Sequence, residues 1–183
     1  AVASSGTGNR VMTSPCSVCA EGEFSFGAVC VTDCPKGTFI TASKGCAICL
    51  AGTYAASVAT TSCTVCPAGK YLVDIATAAA EHDALIDCVD CGIGKYLADA
   101  ASAAVEHDFE ADCLVCPTGT YAASVATATC TDCGIGKYLA DAGTDITAHD
   151  SETDCLICGA GTYAASVGSS ICSICESGKY NPD

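Results

Sequence analysis

The hydrophobic positions of this chain recur in a short fixed unit: a pair of cysteines, then a glycine, then an aromatic residue. In all nine copies the glycine lies three residues after the second cysteine of the pair, and Tyr or Phe lies five residues after that same cysteine. A unit repeated at a short period predicts a linear array of small modules made of short extended pieces and turns. The nine pairs are Cys16/Cys19, Cys30/Cys34, Cys46/Cys49, Cys63/Cys66, Cys88/Cys91, Cys113/Cys116, Cys130/Cys133, Cys155/Cys158 and Cys172/Cys175.

The glycine and the aromatic residue each predict one local feature of the module. A glycine directly after a cysteine pair suits a backbone position with positive φ. The aromatic side chain two residues later can lie across the neighbouring disulfide as a small core.

Two kinds of module follow from the distance between the second cysteine of one pair and the first cysteine of the next. Three distances are 14 residues, with the text G-T-Y-A-A-S-V, and three are 22 residues, with the text G-K-Y-L-x-D. Short modules are expected at 49–65, 116–132 and 158–174, and long modules at 66–90, 91–115 and 133–157. We expect a flexible lead-in at 1–15, capping modules at 16–48, and at 175–183 the start of a long module that is cut off.

The composition excludes a conventional hydrophobic core. Leu, Ile, Val and Phe make up less than a fifth of the chain, while 18 of its 183 residues are cysteine and its net charge is −14. Without cross-links such a composition favours disorder, so disulfides must replace the missing core. Disulfides at this density persist only in an oxidising compartment, which places the protein outside the cell or on its surface.

The acidic net charge also excludes nucleic acids as partners. Seven basic residues in a chain of pI 4.2 cannot neutralise a phosphate backbone, so we expect no nucleic acid partner. The segment 45–69 has no charged residue, but it contains four cysteines and Pro67 and is the repeat unit itself. We therefore expect no membrane insertion in this segment.

All three histidines of the chain lie in the long modules, and each is followed by an aspartate. These steps are His82-Asp83, His107-Asp108 and His149-Asp150. Because the inserts are polar, we expect solvated loops; the alternative is that adjacent acidic inserts bind Ca²⁺ or another cation. The alanine-rich inserts also predict a short helical turn, which Gly143 and Thr144 disfavour in the third copy.

The pattern C-x-x-C-x-x-G-x-Y, followed about a dozen residues later by C-x-x-C, resembles the repeats of a known family. It is similar to the cysteine-rich repeats of ephrin-receptor-like and tumour-necrosis-factor-receptor-like ectodomains, over residues 16–183. The G-K-Y lettering and the alanine-rich filler look more like the long repeat arrays of algal and protist surfaces. The resemblance implies a fold of small disulfide-rich repeats in an elongated rod, with short strands and little regular secondary structure.

The resemblance also implies a disulfide ladder, in which the cysteine before each G-x-Y bonds to the first cysteine of the next pair. A 15-residue loop closed in this way contributes about 3 kcal/mol, and a longer loop only about 0.4 kcal/mol more. A rival ladder, first cysteine to first and second to second, remains open. The implied pairs are Cys19–Cys30, Cys34–Cys46, Cys49–Cys63, Cys66–Cys88, Cys91–Cys113, Cys116–Cys130, Cys133–Cys155 and Cys158–Cys172.

This ladder leaves Cys16 and Cys175 without partners. Their partners lie outside these 183 residues, or the two cysteines cross-link successive subunits head to tail into a filament. Zinc–thiolate sites fit less well, because nine pairs do not divide into fours and Cys30/Cys34 has the wrong spacing. Redox catalysis needs one distinct pair in a βαβ context, and no other catalytic motif is present, so we expect no enzyme and no cofactor.

The sequence therefore predicts a secreted or cell-surface structural protein that forms a coat, appendage or filament. Its expected partners are copies of itself, as a homopolymer, or other surface proteins. Regularity is the reason, because a receptor that recognises one ligand needs a unit that differs from the others. The alternative is a ligand-binding or adhesive ectodomain stalk, with 16–48 as its distinct part.

Overall fold

The structure, a computed structural model, describes residues 10–11 and 18–181. Its strands are two or three residues long, because each unit supplies only the few residues between a glycine turn and a cysteine pair. They are β1 Arg10–Val11, β2 Phe24–Phe26, β3 Val29–Val31, β4 Thr38–Ile40, β5 Cys46–Ile48, β6 Thr53–Tyr54, β7 Thr64–Val65, β8 Lys70–Tyr71, β9 Val89–Asp90, β10 Lys95–Tyr96, β11 Leu114–Val115, β12 Thr120–Tyr121, β13 Thr131–Asp132, β14 Lys137–Tyr138, β15 Leu156–Ile157, β16 Thr162–Tyr163 and β17 Ser173–Ile174.

Each regular module is an antiparallel hairpin between its G-x-Y segment and the middle of the closing cysteine pair. In the first short module, Thr53 lies opposite Val65 and Tyr54 opposite Thr64. The same pairing joins β4–β5, β8–β9, β10–β11, β12–β13, β14–β15 and β16–β17, whereas β1, β3 and β2 form a three-stranded sheet. The predicted fold class of small disulfide-rich repeats is confirmed.

Eight disulfides close eight successive loops, which we call modules 1 to 8 in chain order. The bonds are Cys19–Cys30, Cys34–Cys46, Cys49–Cys63, Cys66–Cys88, Cys91–Cys113, Cys116–Cys130, Cys133–Cys155 and Cys158–Cys172, the pairs that the resemblance implies. Modules 4, 5 and 7 are long, and modules 3, 6 and 8 are short.

The small core of each long module is completed by a side chain from the preceding module. In module 4 the disulfide Cys66–Cys88 and Leu72 are buried, and Tyr54 of module 3 packs against them. Tyr71 packs in the same way on module 5, and Tyr121 on module 7. Each aromatic side chain thus covers the disulfide of the module that follows, so a module depends on its neighbour for burial.

The insert of each long module forms two consecutive 3₁₀ turns. The expectation that Gly143 and Thr144 disfavour a turn in the third copy is wrong, because Gly143 lies before the turn and has a φ of 75°. Ala76 and Ala101 take the same left-handed conformation at the matching positions, where glycine is less strained. The turns are Ala79–Glu81, Leu85–Asp87, Ala104–Glu106, Glu110–Asp112, Ile146–Ala148 and Glu152–Asp154.

The glycine after each cysteine pair has positive φ in all nine units, between 74° and 86°, which confirms the prediction for this position. In modules 2 to 6 it also lies against the backbone of the module two further along. A β-carbon at Gly94 of module 5 would stand 2.6 Å from the carbonyl oxygen of Ile146 in module 7. At Gly69 the corresponding distance, to the carbonyl oxygen of Ala126, is 2.2 Å. Three successive modules therefore meet at each of these glycines.

Among the described residues, no helix has the length and apolar character needed to cross a membrane.

Gly94 and Gly136 provide a matched test of this packing, because both lie in the text C-G-I-G-K-Y-L-A-D-A. No described atom lies within 4 Å of a β-carbon built at Gly136, because only residues 175–181 are described of the module two further along. We expect Gly136→Ala to cost about 1–2 kcal/mol, the price of a left-handed alanine. Gly94→Ala should cost clearly more, because module 7 must also move away. The measurement is the melting temperature of the oxidised chain by circular dichroism; equal losses in the two variants would contradict the three-module contact.

Candidate functional site at the module joints

The modules are joined by a regular series of backbone hydrogen bonds. The N–H of the glycine in one module donates to the carbonyl of the residue three positions after the glycine in the next module. This bond is 2.9 Å from Gly37 to Ala55, 2.8 Å from Gly52 to Leu72 and 2.9 Å from Gly69 to Leu97. The same bond recurs from Gly94 to Ala122, from Gly119 to Leu139, from Gly136 to Ala164 and from Gly161 to Asn181.

A second backbone bond crosses each joint, and its acceptor depends on the type of the following module. When that module is short, the acceptor is a Thr or Ser carbonyl; when it is long, the acceptor is the carbonyl of its histidine. The bonds onto short modules run from Ile40 to Thr60, from Leu97 to Thr127 and from Leu139 to Ser169. The bonds onto long modules run from Ala55 to His82, from Leu72 to His107 and from Ala122 to His149.

The third bond distinguishes the two kinds of joint. In short modules a left-handed residue donates its backbone N–H to a cysteine carbonyl of the preceding module, as Ala126 does to Cys91 at 2.9 Å. In long modules the ring Nδ1 of the histidine bonds instead to a carbonyl of the preceding module. His82 Nδ1 lies 2.8 Å from the oxygen of Thr53, and His149 Nδ1 lies 2.7 Å from that of Thr120. The third bond of a long-module joint therefore comes from a side chain, and it reaches the carbonyl of the residue after the glycine instead of a cysteine carbonyl.

The expectation that the histidines lie in solvated loops is wrong. His82, His107 and His149 are each 0% exposed, and they are the largest fully buried side chains among the residues that the structure describes. They are buried because the preceding module lies over the insert, and a polar ring tolerates burial only when its nitrogens are hydrogen-bonded. The solvated-loop expectation considered one module at a time, whereas burial results from two modules in contact.

The aspartate that binds each ring is not the one that follows it in the chain. Nε2 of His82 lies 2.8 Å from Oδ1 of Asp74, eight residues earlier, and no hydrogen bond joins the ring to Asp83. His107 pairs with Asp99 at 2.9 Å, and His149 with Asp141 at 3.0 Å. The structure thus does not bring the cation candidates Asp83, Asp108 and Asp150 to the rings, whose two nitrogens are already bonded. Cation binding by the acidic inserts stays a prediction.

The partner aspartates are held as carboxylates. Hydrogen bonds from the Thr77 hydroxyl, from the Thr77 amide and from His82 lower the pKa of Asp74 from 3.8 to about 2. At Asp99 the pKa is lowered further, first by the Ser102 hydroxyl and then by His107. At Asp141 the Thr144 hydroxyl and amide are the main cause of the lowered pKa. Each carboxylate therefore accepts hydrogen bonds from its own loop as well as from the ring.

The arrangement determines how many protons the ring carries. A backbone carbonyl and an ionised carboxylate can both only accept hydrogen bonds. Since these two acceptors face the two ring nitrogens, a ring that bonds to both must donate from both nitrogens, as only the imidazolium can. Each long-module joint therefore places a fully buried imidazole ring against a carboxylate that is 21–26% exposed.

Other charged groups of the long modules stabilise the hairpin and the second 3₁₀ turn. The carboxylate that precedes the closing cysteine accepts the N–H three residues earlier, from Ala84 to Asp87 and from Phe109 to Asp112. Lys70 pairs with Asp90, and Lys137 pairs with Glu152 at 3.0 Å. The two ion pairs are at the surface and contribute about 0–1 kcal/mol each.

The two remaining cysteines have different places in the structure. Cys16 lies outside the described residues. Cys175 has no disulfide partner among the described residues, and its N–H donates to the carbonyl of Gly161 at 2.9 Å. Its backbone thus continues the pattern of the earlier modules.

Sequence reasoning missed Asp74, Asp99 and Asp141 as partners of the rings. A signal was present, because the aspartate of G-K-Y-L-x-D precedes the histidine by eight residues in all three long modules. The adjacent His-Asp step suggests a different partner for each ring, although the eight-residue spacing is equally constant. The backbone acceptor had no such signal, because it lies 29 or 37 residues from the ring in the chain.

Replacing a buried histidine should loosen its joint. In His149→Ala, the Thr120 carbonyl and the Asp141 carboxylate lose a buried donor, which costs about 1–3 kcal/mol. Hydrogen exchange should show a protection factor at the Ala122 amide that is about 5- to 150-fold lower. Asp150→Ala, next to the same ring, is the matched control and should leave Ala122 unchanged. An equal loss in both variants would show that the ring is not the element that closes the joint.

Acid should loosen the same joints. Because the folded pKa of Asp74 is depressed from 3.8 to about 2, its contribution to stability is complete above pH 3.8 and is lost as the pH falls through 2. Asp99 and Asp141 act in the same direction. Protection of the Ala55 amide should therefore fall over this range relative to Leu97, whose joint has no histidine. A parallel change in both amides would argue against the carboxylate as the cause.

Comparison with known proteins identifies part of the array. Residues 37–82 match the model of the family described as tyrosine-protein kinase ephrin type A/B receptor-like, a match that begins at Gly37 in module 2, covers module 3 and ends at His82 in module 4. No curated protein matches the chain. The eight disulfides and this receptor-type repeat together indicate an extracellular or secreted protein. The resemblance predicted from the cysteine–glycine–aromatic text is confirmed over residues 37–82, which are similar to the ephrin-receptor-like cysteine-rich family.

Proposed function

We propose that the chain is a structural protein of a cell-surface coat, appendage or filament, and that it has neither enzymatic activity nor a cofactor. The observation that carries the proposal is the joint itself. Its backbone bonds recur from module 2 onward, and they connect short and long modules alike. An array with interchangeable joints can be extended without a change of design, as a structural repeat protein requires.

The contacts between modules also favour stiffness. In modules 2 to 6 the glycine bonds to the next module and lies against the module after it, so bending one of these joints disturbs three modules. Disulfides fix the shape of each module independently of its neighbours. A chain with this overlap resists bending more than modules joined by flexible linkers would.

The surface presents little that distinguishes one regular module from another. The G-T-Y-A-A-S-V and G-K-Y-L-x-D texts recur, and the side chains that vary are mostly exposed apolar residues such as Ile86, Phe109 and Ile135. Specific recognition of a ligand depends on a few distinctive anchor residues at one place. The regular part of the array therefore supports a structural role better than recognition.

The second candidate is a ligand-binding or adhesive ectodomain stalk, and one observation favours it. Module 1 differs from the rest, with a three-stranded sheet in place of the two-stranded hairpin that module 2 keeps. A cavity at their junction is lined by Val18, Glu21, Ser25 and Lys44, among other residues. If the protein binds a ligand, this cavity is where we expect it.

We further propose that the partners are other copies of the chain or other surface proteins. Cys175, partly exposed and without a disulfide among the described residues, is available for a bond between subunits, with Cys16 as its counterpart. Such head-to-tail contacts do not close, so they build a filament.

Negative-stain electron microscopy of the native material tests the structural role. We expect ordered fibres or sheets, together with a ladder of oligomers in SDS gels run without reductant. Cys175→Ser should abolish the ladder, whereas Ser173→Ala, two residues away, should leave it intact. Single flexible rods would overturn the filament in favour of the stalk, and dissociation of native fibres by SDS alone would overturn only the covalent link.

A further inference from the structure

We propose that the long-module joints depend on pH through their histidines: each joint is closed while the imidazole ring carries two protons and opens when it loses one. Short-module joints do not respond in this way. The proposal concerns the joints themselves and does not rest on what the array is used for.

The geometry of His82 shows why the second proton matters. Nδ1 donates to the Thr53 carbonyl at 2.8 Å, and Nε2 donates to Asp74 at 2.8 Å. When the ring loses the Nε2 proton to solvent, the lone pair of that nitrogen points at a carboxylate oxygen. One hydrogen bond and one ion pair are then lost inside a site that is 0% exposed. A lone pair that faces a carboxylate is unfavourable on a fully buried ring, so the ring must leave its position.

No other formal charge in the preceding module compensates for this loss. The residue of the preceding module that bonds to the His82 ring is the neutral Thr53, and the one that bonds to the His149 ring is the neutral Thr120. Lys70 faces His107 through its backbone oxygen, but its ammonium group pairs with Asp90. The charged residues that bond to each ring or are adjacent to its histidine in the chain are all acidic: Asp74, Glu81 and Asp83 for His82, Asp99, Glu106 and Asp108 for His107, and Asp141 and Asp150 for His149.

The ring is coupled to the backbone of the joint. The carbonyl of His82 accepts the Ala55 N–H at 2.8 Å, while the ring of the same residue binds Thr53, two residues earlier. Displacing the ring therefore moves the residue that closes the backbone bond. Loss of a single proton from the ring is thus transmitted to the main-chain connection between two modules.

Short-module joints lack this dependence. Their acceptors are the carbonyls of Thr60, Thr127 and Ser169, and the third bond comes from a backbone N–H. None of these groups titrates in the physiological range. Because modules 4, 5 and 7 are long and modules 3, 6 and 8 are short, the order of modules determines where the array loosens as the pH rises.

Amide hydrogen exchange on the ¹⁵N-labelled chain tests the proposal with internal controls. Protection factors are measured from about pH 5 to about pH 9, which spans the titration range of imidazole. We expect protection at Ala55, Leu72 and Ala122, which bond to histidine carbonyls, to fall at least about tenfold relative to the other joints. The reference amides, Ile40, Leu97 and Leu139, bond to Thr or Ser carbonyls. Equal pH dependence of the two sets would overturn the proposal.

Ring nitrogen chemical shifts provide a second readout, and it needs no variant. While the Ala55 amide remains protected, both nitrogens of His82 should show the shifts of a doubly protonated ring. An unprotonated Nε2 in a protected joint would overturn the proposal.

A matched pair of variants separates the paired charge from a neighbouring one. Asp74→Asn keeps an oxygen acceptor near Nε2 but removes the negative charge, so Ala55 should lose protection at a lower pH than in the unaltered chain. Asp83→Asn removes an equal charge beside the same histidine and should leave that pH unchanged. The same shift in both variants would contradict the specific role of Asp74. If either variant fails to fold, the ring shifts of the unaltered chain still decide the matter.

Discussion

The glycine that follows each cysteine pair is the position on which the stacking of modules depends. Its N–H donates to the next module, and its carbonyl accepts the N–H of the cysteine that opens that module, as from Cys91 to Gly69 at 2.8 Å. Where a β-carbon would stand, the backbone of a third module passes, for example the Ala126 carbonyl at Gly69. Only a residue without a side chain, in a left-handed conformation, satisfies these requirements together. The repeat therefore tolerates two loop lengths but keeps its glycine.

Disulfides and stacking have separate roles. A disulfide such as Cys66–Cys88 holds one loop closed and provides the buried surface that a larger domain would obtain from leucine and valine. Tyr54 covers that surface from the preceding module, and Leu72 fills the space beneath it. A module thus has a fixed shape by itself but buries its core only in the array, as expected of repeats that cannot bury their hydrophobic faces alone.

The long modules show how an insertion can be accommodated at a joint that recurs along the chain. Eight additional residues would displace the Thr or Ser carbonyl that closes a short-module joint. Two 3₁₀ turns instead bring a histidine carbonyl to the same donor, and the histidine ring supplies the third bond that a backbone N–H provides in short modules. The insertion thereby buries a polar ring, whose second nitrogen bonds to Asp74 or its counterpart. The insertion therefore adds a titratable group at a place where the short module has none.

The sequence by itself determined the number of units, the two module sizes and the positive φ of the glycines, because these depend on covalent spacing and on local backbone conformation. The family resemblance supplied the disulfide ladder, which spacing alone left open. Only the tertiary structure decided the environment of His82, because its carbonyl partner belongs to another module, 29 residues away. A polar dipeptide such as His-Asp has the same sequence whether it is exposed to water or covered by a neighbouring module. Burial here depends on how modules stack, and no single repeat contains that information.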